Sequence, residues 1–236
     1  MLDKSLAVYL SLKSMNIDFV EIGAKIGVYF IPFLFALCFH EYAHGWMARR
    51  RGDNTAEQMG RLSMNPLVHM DMIGTLILPI MSIVLATPIF FGWAKPVPVN
   101  TRNLKNPRID MFWIAIAGPL SNILLAVVGA VAIAAVAKYF LSVSYAKGAI
   151  EILKTFIVTN LFLAFFNILP LHPLDGGKVL ARFLPAQWNH KLEQNEHVTS
   201  ILLMILVVTG MLRVLSIPVF WSYNHLVTLA LGGFGI

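Results

Sequence analysis

The chain has 236 residues, of which 58% are hydrophobic and 13% charged, and its mean hydropathy is +0.73. A soluble domain carries roughly 25% charged residues, so the composition excludes a water-soluble globular fold and describes an integral, multi-pass membrane protein embedded in a lipid bilayer. The net charge of +6 would suit nucleic acid in a soluble protein, but in a membrane chain it reports basic cytoplasmic loops, and no nucleic-acid partner is expected.

Residues 1–25 mix Leu2, Leu6, Val8, Leu10 and Leu12 with Lys4, Lys13, Asp18 and Glu21. That mixture is too polar to cross a bilayer and too acidic for a secretory signal, so it predicts an amphipathic helix on the membrane surface. Ile26 to Arg50 is long enough to cross a core of about 30 Å, and the Arg49-Arg50-Arg51 run marks its cytoplasmic end. An apolar run from Met72 to Phe91 follows, interrupted by Pro79 and Pro88, and then a Pro-rich basic loop from Gly92 to Arg108. Spans are predicted over Ile109–Ala137, Ile150–Leu169 and Val198–Leu215. The last residues, 216–236, read as an apolar tail short of a span. The sum is a single domain, residues 1–236 with a membrane core at 26–215. It is an all-α polytopic bundle of about four to six transmembrane segments without appended modules. No internal repeat is present, which argues against an inverted-repeat transporter. The single cysteine, Cys38, excludes an intrachain disulfide.

Residues 40–44 read His-Glu-Tyr-Ala-His and lie inside the first span. Positions i and i+4 share a helix face, so His40 and His44 can present two imidazoles to one zinc ion. Glu41 projects beside that site, where it can take a proton from the attacking water. Cys38 lies about 200° around the helix from His40 and is expected to pack in the core. A catalytic zinc takes a third protein ligand, and the best candidate is Asp175, in the turn after Ile150–Leu169.

That ligand set constrains the topology. His40, His44 and Asp175 share a depth only if an even number of crossings separates them. Ile109–Ala137 and Ile150–Leu169 supply two, so Met72–Phe91 is expected to be a re-entrant hairpin or loop. The cations agree. Arg49, Arg50, Arg51, Arg61, Lys95, Arg102, Lys105, Arg108, Lys178, Arg182 and Lys191 then lie on the His-motif side, against Lys4, Lys13, Lys25, Lys138, Lys147 and Lys154 on the other. Eleven cations against six put the motif nearer the cytoplasm.

Five segments in this order resemble the site-2 protease family of intramembrane zinc metalloproteases over about residues 27 to 185. They are Phe39–Gly45, Gly60–Leu62 with Asn65-Pro66, Gly92–Asn100, Ala117–Asn122 and Asn167–Gly177. The match is nearest to compact bacterial members without PDZ or CBS modules. The resemblance implies one zinc per chain held by His40, His44 and Asp175, Glu41 as base, and Asn167 as an active-site asparagine that contacts substrate or the developing oxyanion. It also implies a transmembrane protein as substrate and a bacterial inner membrane as location. His172 stands where the family carries proline, which leaves open an additional contact near the metal.

Other readings of these residues stand beside this one. A non-enzymatic metal transporter would use the same His/Asp cluster without Glu41, but its pathway needs polar residues spread across the bundle, and here they converge on one depth. Asn160, and Gly118-Pro119 with Asn122, read as helix packing. His69, His190, His197 and His225 read as interfacial. Pro96 and Pro98 make Gly92–Asn100 either a short β edge able to clamp an extended substrate or a plain connecting loop.

Overall fold

The computed structural model describes residues 19–85 and 92–236, and every regular element among them is helical. The first span, α1, is a continuous helix from Phe19 to Arg50. The segment at 19–25 is therefore part of that span and not part of a separate surface helix; the rest of the predicted amphipathic segment lies outside the described residues. A π-helical turn at Ile26–Phe30 precedes Pro32. Proline has no N–H, and its ring crowds the carbonyl four residues back, so a locally widened turn accommodates it.

After α1 come the short α2, Thr55–Gln58, and an apolar helix α3, Met72–Val84, whose π turn again lies just before a proline, Pro79. Thirteen residues reach only ~20 Å, too short to cross. The chain then returns beside its own start: Trp93 N donates to Gly74 O at 3.2 Å, Thr75 Oγ1 to Trp93 O at 2.7 Å, and Lys95 N to His69 O at 2.8 Å. Asn103 Nδ2 also donates to Thr55 Oγ1 at 3.3 Å. Residues 69–75 and 93–95 thus lie side by side, as the two ends of a re-entrant segment would. Pro88 lies outside the described residues. Gly92–Asn100 has no regular secondary structure and pairs with no strand among the described residues, which is the connecting-loop alternative of the two sequence readings.

The long α4, Pro107–Tyr139, begins with Asn106 as its cap and Pro107 in the first turn, where a missing N–H costs nothing. With α5, Ala146–Asn167, it supplies two full crossings, and α4 packs along both α1 and α5. Small residues make that approach close: Ala126, Ala130 and Ala134 are buried, and a Cβ on Gly129 would sit 2.7 Å from Ile157.

The C-terminal part departs from expectation. Beyond α6 (Asp175–Ala181) and α7 (Ala186–Gln194), α8 is Glu196–Val208, again thirteen residues and too short to cross. The chain breaks at Gly210, whose φ of 72° is left-handed. The crossing helix is α9, Met211–Gly233. Leu203 of α8 and Leu215 of α9 share one apolar cluster with Phe166 and Leu174, so the chain is still near the Asp175 end when α9 begins. At the other end Lys138 Nζ donates to Phe234 O. In place of the predicted span at Val198–Leu215 and the tail at 216–236 stand a short α8 and an α9 long and apolar enough to cross.

Candidate metal centre and active site

His40 and His44 emerge from the buried face of α1, and Asp175 opens α6 immediately after the turn that closes α5. The turn is tight: a Cβ on Gly176 would fall 2.2 Å from Leu169 O, and one on Gly177 2.9 Å from His172 N. Two glycines therefore let Asp175 fold back beneath α5. Gly118 of α4 has the matching role on the other side, because a Cβ there would lie 2.4 Å from His44 Nε2. Packing was the expected role of Gly118, and what it packs against is the site itself.

The three side chains meet. His40 Nε2 and His44 Nε2 are each 3.1 Å from Asp175 Oδ2 and 3.0 Å from one another. His40 Nδ1 lies 2.7 Å from Asn122 Oδ1, and His44 Nδ1 2.7 Å from Ile114 O. Asn122 turns its oxygen to His40 because its Nδ2 donates to Ala36 O at 3.1 Å and to Asn160 Oδ1 at 2.8 Å; Asn160 Nδ2 in turn donates to Phe156 O. Both Nδ1 atoms thus face acceptors and carry the protons, which leaves both Nε2 lone pairs aimed inward. These two atoms and Asp175 Oδ2 lie within 3.1 Å of one another and form a donor set that could hold a metal ion. Two donors at zinc's bond length around a tetrahedral ion stand about 3.3 Å apart, so the donor set fits zinc in both chemistry and spacing. Lys178 Nζ, 3.8 Å from Asp175 Oδ1, adds positive charge.

A cavity of about 760 Å³ opens from this centre. Glu41 lines it, and its Oε2 accepts from Val97 N at 2.8 Å. Asn167 lines it too, half-buried, with Nδ2 donating to Leu163 O at 3.0 Å and no hydrogen bond to His40, His44 or Asp175. On the far wall stand Ser200, Leu203, Met204 and Val207 of α8.

Among the described residues no other His, Cys, Asp or Glu joins the cluster. Cys38 is buried and donates to Met64 O, in keeping with a packed thiol. His172 does not extend the centre: it lines a second cavity beside Lys178, and its Nε2 has no hydrogen-bond partner. His69 is a buried loop residue outside the cluster, with Nε2 2.8 Å from Ser63 O. Asn122 and Asn160, read from the sequence as helix packing, support the centre as well, and Val97 is the contributor that sequence reasoning passed over. A fully buried amide inside an apolar span was the available signal for the first two, because in a membrane such a group must find partners.

The description Peptidase family M50 matches residues 28–212. The chain belongs to that family, the site-2 proteases, and is accordingly a zinc metalloprotease and a multi-pass membrane protein; the family acts on membrane-protein substrates. Two bacterial proteins, both named as putative zinc metalloproteases, are similar to it. YwhC of Bacillus subtilis is 35% identical over 181 residues, 76% of this chain and 79% of its own. Rip2 of Mycolicibacterium smegmatis is 28% identical over 213 residues, 88% of this chain and 78% of its own. No solved structure gives a significant match.

Proposed function

We propose that this protein is an intramembrane endopeptidase. It hydrolyses a peptide bond in or near a transmembrane segment of another membrane protein, as in regulated intramembrane proteolysis. The observation that carries the reading is the convergence of three inward-facing acceptors, from α1 and α6, on a cavity that also holds Glu41. His40, His44 and Asp175 would hold the zinc. When bound, zinc supplies Lewis acidity that activates water and polarises the scissile carbonyl. Glu41 accepts the water's proton through the oxygen that Val97 leaves free. Asn167 donates to the developing oxyanion once its amide leaves Leu163 O. A substrate helix has its carbonyls hydrogen-bonded, so it unwinds locally before the cleaved bond reaches the site, and the Gly92–Asn100 segment is placed along the same cavity to receive it.

The test is cleavage of a model transmembrane peptide in detergent by wild-type and Glu41→Gln protein, with zinc measured in both. Full zinc and no cleavage in the variant is expected. Undiminished function without Glu41 would favour a metal carrier instead. The cation bias supports a site on the cytoplasmic side, in what we take to be a bacterial inner membrane. A cysteine at Arg102, in the Cys38→Ser background, should then resist an impermeant thiol reagent until the inner membrane is permeabilised. Labelling from the periplasmic face would reverse the orientation.

A further inference from the structure

Arg61 is a buried guanidinium that forms no salt bridge among the described residues. Burying a cation away from water is costly unless its donors are used. Arg61 Nη2 donates to Lys95 O at 2.8 Å and to Pro96 O at 3.3 Å. Pro96 C=O belongs to the same peptide unit as Val97 N–H, and that N–H is the donor to Glu41 Oε2 at 2.8 Å. A trans peptide points its C=O and N–H in opposite directions. The cation and the carboxylate therefore grip the two ends of one peptide dipole, each polarising the group the other uses.

The rest of this segment is built to keep that peptide in place. Lys95 N donates to His69 O at 2.8 Å. Downstream, buried Asp53 accepts from Asn100 N at 2.7 Å and Asn103 Nδ2 at 2.8 Å. Pro96 and Pro98 restrict the backbone on either side of Val97. On α1, one turn past Glu41, a Cβ added to Gly45 would sit 3.2 Å from Val97 Cγ1, so glycine permits the close approach.

We infer that Arg61 is a positioning residue for the general base: through the Pro96–Val97 peptide it fixes one oxygen of Glu41 and so orients the other toward the attacking water. This rests on the protease reading above. It deepens that reading by naming a residue that touches neither zinc nor substrate yet sets the geometry of proton transfer.

Two variants test it by different means. Arg61→Gln removes the cation, whereas Val97→Pro keeps it and removes the N–H, together with the valine side chain, from a segment that already holds two prolines. Each should lower kcat at least tenfold, with KM within twofold of wild type and one zinc per chain retained. Hydrogen exchange across residues 92–100 should quicken in Arg61→Gln, and Arg61→Lys, which keeps the charge without the planar fork, should recover part of kcat. Wild-type kcat in either Arg61→Gln or Val97→Pro would overturn the inference. So would zinc lost in step with activity, which is the signature of a merely structural role, or a loss confined to KM. Glu41→Gln, run alongside, separates the failures: an active Glu41→Gln protein refutes the protease reading, whereas an inactive one beside a normal Arg61→Gln refutes only the role of Arg61.

Discussion

The two ends of the catalytic cavity are built differently. At the metal end Asn122 and Asn160 are fully buried, and each is tied to neighbours on both sides of its amide. At the open end Asn167 is half-buried and holds only its own helix, and α8 leaves Ile201, Met204 and Ile205 exposed, with only Leu203 and Val207 buried. Rigidity is concentrated where ligand geometry must be exact to within tenths of an ångström, and looser packing borders the space a substrate must enter.

Removing groups at the metal end should give the largest effects. His40→Ala, His44→Ala and Asp175→Ala are each expected to lose zinc and all activity, because on the proposed reading each would delete a coordination bond. Stoichiometric zinc in the Asp175→Ala protein, measured by atomic absorption, would remove Asp175 from the centre. At the open end Asn167→Ala should keep its zinc and lose turnover by about 100-fold, the cost of one oxyanion donor. Wild-type kcat there would assign Asn167 to packing and erase the functional half of the contrast.

The smallest expected effect tests how tightly the metal end is tied. Asn122→Leu leaves His40 in place but takes away the acceptor that fixes its tautomer, so zinc affinity should fall about 10–100-fold in a chelator competition. Asn122→Asp, which keeps an accepting oxygen, should retain most of it. Equal affinities in Asn122→Leu and wild type would mean that the helix alone orients His40.

The sequence by itself determined the parts that depend on short-range spacing. The interval from His40 to His44 puts two imidazoles on one helix face whatever surrounds it, and long apolar runs cross a bilayer because water is absent there. The even number of crossings between His40 and Asp175 also followed, and with it the short helix at 72–84 that does not span. Only the tertiary structure decided where the last span lies. Residues 198–208 and 211–233 are both apolar, and hydropathy does not reveal that Gly210 turns the chain between them. Nor does spacing reveal that Asn122 meets His40 across 82 residues, or that Arg61 reaches Glu41 through a peptide 35 positions along the chain. Such contacts come from the approach of whole helices, which small residues such as Gly45, Gly118 and Gly176 permit, and that approach is a property of the packed bundle rather than of any one segment.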